Sequence, residues 1–330
     1  MQKLRKIKLL MPSESGSVIA MTAIFIAVFM AVTALAVDIG HLIVVKSELQ
    51  RLADAASLAG VRGLFPDDLA NIDPTSNYIN TSQSLARAQD TLTKNAVAGK
   101  YLETADVVIT LGTYNWDSKT FTPSVSQATN AVLVEINNYT VNHFLGGFTG
   151  LGQSAASVKS LAAMGYAKGL PPGTMPIAIG QEFLSQLDGS NPIQFAPDKK
   201  DNAGWFGIGK VNNAILVDYV VNESCPEINL NDIVELLNGK ASAIDEMASK
   251  FSTNKSAEGY WDISLPIVNT DKFNQNSPIT GFVKFRITNI DTHKKEVWGR
   301  VLGLGMASVG AKPGGPKGGL LTPPKLVPYN

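Results

Sequence analysis

Residues able to perform catalysis are few in this chain, and their spacing matches no familiar catalytic or metal site. His41, His143 and His293 lie far apart, and none has a companion at metal-ligand spacing. Asp67-Asp68 and Asp245-Glu246 are adjacent pairs, whose side chains point in different directions on a helix or a turn. We therefore expect these carboxylates to lie on solvated surfaces.

Glycine-containing segments match nucleotide-binding loops only in part. Gly239-Lys240-Ala-Ser lacks the upstream glycine and the Lys-Ser adjacency with which a P-loop holds phosphate and magnesium. The segment from Gly303 to Ser308 ends in serine, where a dinucleotide fingerprint requires glycine or alanine. The sequence predicts a protein that is not an enzyme, with no catalytic, cofactor-binding or metal-binding residues. An envelope hydrolase is the opposing interpretation, and it requires a deep polar cleft with two convergent acidic side chains.

Cysteine content and charge exclude further classes of site. Cys225 is the only cysteine among 330 residues, so neither an intrachain disulfide nor a cysteine-rich zinc site can form. Its thiol is expected to be a buried apolar group, with an intermolecular disulfide as the alternative. No cluster of Lys and Arg follows residue 17, which argues against nucleic acid as a partner.

The element that must position the rest of the chain is an uncharged run near the N-terminus. From Val18 to Val37 the only polar side chains are Thr22 and Thr33. A helix of this length, at ~1.5 Å per residue, spans the ~30 Å hydrocarbon core of a bilayer. The sequence thus predicts a transmembrane helix over 18–37, with the anchor residues Val18, Ile24, Phe25, Phe29 and Val37.

Charge predicts the orientation of this helix. The segment before it is basic, whereas residues 38–57 hold only Lys46 and Arg51 as basic residues. Because the positive side stays in the cytoplasm, we expect a cytoplasmic N-terminus and a periplasmic or extracellular body, with membrane lipid as a partner. The residues that set this orientation are Lys3, Arg5, Lys6 and Lys8. Ala34-Leu-Ala36 also fits the pattern read by signal peptidase, and cleavage after Ala36 would release the body.

Apolar residues at helical spacing continue the same helix to about Val61. They form one stripe, which packs either against the chain's own domain or against another subunit. Asp38, at the outer end of the run, is either a solvated interfacial charge or a partner for another subunit's helix. The candidates for subunit packing are Asp38, Leu42, Val45, Leu49, Leu52, Asp54 and Ala56.

Three segments in fixed order resemble a known family. They are Glu14-Ser-Gly-Ser-Val18, Ala34-Leu-Ala-Val-Asp-Ile-Gly40 and Leu49-Gln-Arg-Leu-Ala-Asp-Ala-Ala-Ser-Leu-Ala-Gly60. Together they resemble the N-terminal signature of the TadE/TadG-like family, bacterial membrane proteins associated with Flp pilus assembly and tight adherence. The resemblance implies a non-enzymatic assembly component. Its implied partners are TadE-like or pilin proteins and an outer-membrane complex, or further copies of the chain in a homo-oligomer.

A looser similarity lies farther along the chain. The segments 204–207, 260–268 and 280–286 resemble a C-terminal β region of some TadG-like proteins. Some relatives carry a von Willebrand factor A domain with an Asp-x-Ser-x-Ser metal motif, but here Asp262-Ile-Ser-Leu-Pro266 ends in proline, so we predict no such domain. Pilin-type processing needs glutamate five residues after a glycine, and counting from Gly16 that position is Met21. We therefore expect an intact anchor rather than a processed pilin.

The rest of the chain predicts an α+β fold: a small helix-on-antiparallel-sheet domain, then a second β-rich unit. After the long helix, the expected helices are a second one near 82–102, a short piece at 141–148, and 231–237 and 241–251. The expected strands are 107–116, 131–137, 155–163, 215–221, 263–268, 282–290 and 296–302. Gly169-Leu-Pro-Pro-Gly173 is expected to interrupt both helix and sheet. The predicted divisions are 1–17 (basic cytoplasmic), 18–37 (transmembrane), 38–168 (TadG-like), 169–309 (second unit) and 310–330 (flexible Gly/Pro tail).

Two functions remain open at this stage. The leading hypothesis is a membrane-anchored component of a Flp/Tad-type pilus assembly or secretion apparatus. The alternative is a secreted or surface adhesin or binding protein, released by signal peptidase after Ala36.

Overall fold

The computed structural model of the protein describes residues 14–73, 76–102, 106–146, 152–195, 202–238 and 241–329. The orientation residues Lys3, Arg5, Lys6 and Lys8 lie outside these ranges, as do Gly239 and Lys240.

One helix, α1, runs over Glu14–Gly63. It contains no proline, and it ends where Leu64, Phe65 and Pro66 follow, since the residue before a proline is disfavoured in the helical region. In its apolar half, Thr22 Oγ1 donates to the Val18 carbonyl at 2.8 Å and Thr33 Oγ1 to the Phe29 carbonyl at 2.9 Å. Both hydroxyls are thus satisfied inside the helix. The prediction of one long helix ending near Val61 is confirmed.

The remaining helices and strands follow in chain order. The helices are α2 (Thr81–Lys94), α3 (Asn213–Val221) and α4 (Ala241–Asn254), with a 3-10 turn at Gln181–Gln186. The strands are β1 (Ala96–Val97), β2 (Lys100–Tyr101), β3 (Val107–Asn115), β4 (Thr120–Pro123), β5 (Ala131–Asn142), β6 (Gln153–Ala163), β7 (Tyr166–Leu170), β8 (Ile177–Gly180), β9 (Ile193–Gln194), β10 (Ala203–Gly207), β11 (Ile228–Asn229), β12 (Ile233–Leu237), β13 (Trp261–Val268), β14 (Asn276–Asp291), β15 (Glu296–Val301), β16 (Lys312–Gly315) and β17 (Lys325–Val327). The fold is α+β, as the sequence predicts.

The strands form four sheets within the described residues. β1 and β2 pair alone, and a five-stranded sheet has the order β17-β6-β5-β3-β4. A seven-stranded sheet has the order β12-β10-β8-β13-β14-β15-β9, and β11-β7-β16 form the fourth. In the seven-stranded sheet β12 also pairs with β14, which closes β12, β10, β8, β13 and β14 into a small barrel. The pairing of β8 with β13 is parallel, and the other registered pairs of this sheet are antiparallel.

The chain divides into two compact units. The first comprises Met1–Ala53, Leu92–Val108 and Glu135–Lys159, of which the described parts hold the apolar half of α1 and portions of β5 and β6. The second comprises Asp54–Thr91, Ile109–Val134 and Ser160–Asn330. It contains the barrel, whose strands alternate between two apolar clusters: Ile177 and Ile179 belong to one, and Ala178 belongs to the other. The division at residue 169 stays a prediction.

Three secondary-structure predictions are wrong, the first because of a local helix cap and the other two because strand pairing overrides local propensity. Residues 215–221 are helical, since the Asn212 side chain caps α3 by accepting from Ile215 N at 3.0 Å. Residues 233–237 form the strand β12 rather than a helix, because they pair with β10 and β14. Val141, expected in a helical piece, extends β5, and residues 147–148 of that piece lie outside the described ranges. In addition α2 ends at Lys94 instead of near residue 102.

The C-terminal segment contradicts the expectation of a flexible tail. β16 pairs with β7, and β17 pairs with β6, which places Lys325 opposite Ala163. Between these strands Leu320 and Leu321 are buried. Glycine and proline content therefore gave the wrong prediction here, since two leucines and two short strand pairings are enough to order the segment. The pairing of β7 also shows that Gly169 and Leu170 belong to a sheet.

Candidate functional site

The exposed surface of the first half of α1 is apolar. All five predicted anchor residues are exposed, including Phe29, at 74% of its full accessible area. A helix folded into a soluble core would hide such side chains, because burying apolar area is worth roughly 25 cal/mol per Å². By length and composition this helix is suited to cross a membrane. The five residues are Val18, Ile24, Phe25, Phe29 and Val37.

The second half of α1 is covered on one side by the chain itself. Of the residues predicted to pack between subunits, Val45, Leu49, Leu52 and Ala56 are buried. These four are therefore unavailable to another subunit, and packing within the chain is the correct alternative for them. Leu42 and Asp54 are half-buried.

Asp38 lies at the outer end of the apolar run and is 4% exposed. Its Oδ1 accepts hydrogen bonds from the backbone N–H of Phe144 at 2.8 Å and of Leu145 at 3.1 Å. The prediction of a solvated charge is thus wrong: the carboxylate binds the turn that follows β5. Its role toward another subunit's helix stays a prediction, although Oδ1 is engaged within the chain.

Polar contacts join the next turns of α1 to the rest of the first unit. Glu48 Oε2 accepts from the backbone N–H of Ala98 at 2.9 Å, and Gln50 Nε2 donates to the Lys159 carbonyl at 3.1 Å. Lys159 in turn pairs with Glu135 at 2.5 Å. The helix that carries the anchor surface is therefore hydrogen-bonded to β6 and to the turn between β1 and β2.

In the second unit, the end of α1 crosses α2 at small residues. Ser84 Oγ donates to the Gly60 carbonyl at 2.8 Å. A Cβ added at Gly63 would lie 2.9 Å from the Ser84 Cα, so this approach requires glycine. In the same unit, the hydroxyl groups of Ser57 and Ser160 form a buried hydrogen bond with an Oγ–Oγ distance of 3.0 Å.

A cleft of about 390 Å³ opens in the second unit beside β13 and β14. Its two acidic lining residues are ion-paired: Asp262 with Arg286 at 2.7 Å, and Glu223 with Lys250 at 2.7 Å. Lys284 Nζ lies 3.3 Å from Ser264 Oγ, and burial lowers its pKa. Each of these two carboxylates therefore already has a cation beside it, and the hydrolase interpretation stays a hypothesis.

Metal ligands and reactive thiols are likewise absent from the described part of the chain. Within it, no group of three or more His, Cys, Asp and Glu residues is arranged to hold a metal ion. Cys225 is free and buried, as expected, and burial raises the pKa of its thiol to about 12. His143 Nε2 lies 2.7 Å from Ser154 Oγ, a pairing within one hairpin.

Comparison with known proteins finds two family models that match parts of this chain. Residues 16–63 match the family model described as Flp pilus-assembly TadE/G-like, and residues 70–162 match the one described as Tad-like Flp pilus-assembly. These two matches support the resemblance of the N-terminal part of this chain to the TadE/TadG-like family. No curated protein and no solved structure matches the chain.

The two Tad matches coincide with elements of the structure. The first covers nearly all of α1, and the second runs from the residues before α2 to the end of β6. Asp38 and its partners Phe144 and Leu145 therefore fall in different Tad matches. Sequence reasoning missed this contact. One sign of this contact is visible in the sequence: Asp38 follows an apolar run. A carboxylate at that place is costly unless hydrogen-bond donors surround it.

Proposed function

We propose that the protein is a non-enzymatic, membrane-anchored component of a Flp/Tad-type pilus assembly apparatus. It acts through protein contacts outside the cytoplasm. The observation that carries the proposal is the division of α1 into an exposed apolar half and a half that is packed and hydrogen-bonded within the chain.

A continuous helix would connect the membrane anchor directly to the body of the protein. Helical backbone groups satisfy one another in lipid, so α1 can leave the membrane without a break in its hydrogen bonding. The body is then held to the membrane by a rigid element, because Glu48 and Gln50 bond it within a few turns of Val37. This rigidity suits a subunit that must hold position while other proteins assemble.

The proposed orientation, with Lys3, Arg5, Lys6 and Lys8 in the cytoplasm, rests on the charge asymmetry of the sequence. It is tested in bacterial cells with the Cys225→Ala chain carrying one new cysteine at Val309, which is 89% exposed. A maleimide that cannot cross the inner membrane should label this cysteine in spheroplasts. Labelling only after lysis would place the body in the cytoplasm and refute the orientation.

The proposed partners are TadE-like or pilin proteins and an outer-membrane complex, with self-association as a further option. Crosslinking in cells, followed by extraction in detergent, should recover the chain with Flp pilus components. The control is a chain whose residues 1–37 are replaced by a cleavable secretion signal. Recovery of these components with the control alone would contradict an anchored role.

The alternative is a binding protein released after Ala36, for which the cleft beside β13 offers a ligand site. Two features argue against release. Residues 34–37 are helical and continuous with both sides of α1, and Ala34 is buried. The small-x-small segment that a signal peptidase reads therefore lies inside a continuous helix, although Leu35 is exposed. A soluble chain that begins at Val37 would favour the alternative.

A further inference from the structure

The apolar exposed surface of α1 does not stop at Val37. Beyond it, Ile39, Ile43 and Val44 are also exposed, at positions that lie on the helix face opposite Asp38 and Val45. Lys46 is the first basic side chain after this surface. One side of the helix therefore remains suited to lipid for about two turns past the predicted span.

The opposite side of the same turns carries the segment that follows β5. Phe144 is 70% exposed, and its ring lies 4.4 Å from the His41 ring, centroid to centroid. The two hydrogen bonds to Asp38 fix the backbone of Phe144 and Leu145 against the helix. The Phe144 side chain thus stays exposed beside residues 38–41 of α1.

The hydrogen bonds to Phe144 and Leu145 also explain how Asp38 can lie close to the membrane. An ionised carboxylate next to hydrocarbon is costly unless donors surround it. Here two backbone N–H groups bind it, and the carboxylate is nearly inaccessible. Charge-assisted bonds of this kind are among the stronger ones available to a protein. The turn that binds Asp38 therefore shields the carboxylate that would otherwise keep this part of α1 out of the interface.

We propose that the turn after β5 is a second membrane-contact element, in which Phe144 and Leu145 insert into the boundary between headgroups and acyl chains of the outer leaflet. The inference rests on the proposed membrane anchor. It adds that the body touches lipid directly, through a turn whose depth is set by the bond to Asp38.

Lipid is the occupant that the surroundings favour. The turn that carries Phe144 is hydrogen-bonded to α1 at the outer end of the predicted span, and aromatic side chains are enriched at this level of membrane proteins. Phe144, Leu145 and Gly146 carry no charge, so their insertion would bring no charged side chain into the interface. A stable contact with a second protein requires about 1,000 Å² or more, which one phenylalanine and one half-buried leucine do not supply.

The test uses the full chain with Cys225→Ala, purified in detergent and reconstituted in vesicles of phosphatidylethanolamine and phosphatidylglycerol. One cysteine is then introduced at Phe144, and it is labelled with a fluorophore whose emission shifts to the blue in lipid. The matched control is a cysteine at Val125, which is 71% exposed and lies in a different loop. A cysteine at Phe29 reports on the anchor itself.

We expect the label at position 144 to be blue-shifted and quenched more by lipids spin-labelled near the headgroup than by those labelled deep in the chain. The label at 125 should be unaffected by either lipid. Emission at 144 that matches position 125, or a blue shift without quenching by lipid, would overturn the proposal; the latter would indicate a second copy of the chain.

The label at position 29 separates this inference from the proposed function. Deep quenching at 29 with an aqueous signal at 144 would refute the membrane-contact turn alone. An aqueous signal at 29 would refute the anchor as well. Adding Asp38→Ala should reduce quenching at 144 to the level of position 125 while leaving position 29 unchanged, whereas Asp38→Asn, which keeps an acceptor oxygen, should retain most of it.

Discussion

At the scale of single residues, the side chains that matter act through partners far away in sequence. Asp38 looked like an isolated charge at a membrane edge, yet its two donors lie 106 and 107 residues later. Sequence patterns report spacing along one element, so they could place Asp38 on α1 but could not find these donors. Cys225 was predictable for the opposite reason, since burial is the ordinary state of a lone thiol.

Replacing Asp38 by alanine should free the turn after β5. Two backbone N–H groups would lose a charged acceptor, at a cost of about 1.5–3 kcal/mol for a bond to a charged group. In detergent, amide hydrogen exchange at Phe144 and Leu145 should accelerate, with Asp38→Asn intermediate between the wild type and Asp38→Ala. Unchanged exchange at both amides would show that the carboxylate does not hold the turn.

The buried thiol of Cys225 predicts a dependence on alkaline pH. Burial raises its pKa from 9.0 to about 12, so the folded chain binds this proton more strongly than the unfolded chain does. Its contribution to stability is complete below pH 9 and declines as pH rises toward 12. Between pH 9 and 11, the free energy of unfolding should fall more steeply for the wild type than for Cys225→Ala. Equal slopes would contradict a buried thiol.

At the scale of elements, the sequence was informative wherever one periodicity ran for many residues. The uncharged run and the 3-4 stripe predicted α1 to within two residues of its end, and the β-branched runs of β3, β5, β13 and β14 predicted strands. It failed for short elements such as α3 and β12. There a helix cap at Asn212, or a pairing with β14, decides the outcome.

The crossing of α1 and α2 predicts opposite effects for two glycines of the same helix. Gly63→Ala should destabilise the protein by about 1–3 kcal/mol, because the new Cβ meets the backbone of Ser84. Gly40→Ala should be neutral or stabilise by up to about 1 kcal/mol, because nothing lies within 4 Å and alanine favours helix. Thermal unfolding of both variants in detergent measures the difference. A Gly63→Ala chain as stable as Gly40→Ala would show that the two helices do not approach this closely.

At the scale of the whole molecule, the C-terminal segment completes sheets that begin earlier in the chain. Thr322 N donates to the Gly165 carbonyl at 2.7 Å, and Leu321 N donates to the Gly305 carbonyl at 2.8 Å. Composition alone could not reveal this, because glycine and proline indicate a flexible segment only where no partner strand is available.

Removing residues 320–330 should therefore destabilise the body. The deletion exposes the edge of β6 and forfeits two buried leucines, each worth about 1.5–3 kcal/mol. The matched control removes only 328–330, which leaves Lys325–Val327 paired with β6. Denaturant unfolding should separate the two deletions by several kcal/mol. Equal denaturant midpoints for the two deletions would show that residues 320–327 add no stability, as expected of a flexible tail.

The central claim is that α1 stays attached and anchors the body in the inner membrane. The most direct test is intact mass spectrometry of the chain from separated membrane and soluble fractions of the producing bacterium. The account predicts a single species in the membrane fraction, extracted only by detergent, with residues 18–37 still joined to the body. A soluble species that begins at Val37 would contradict it.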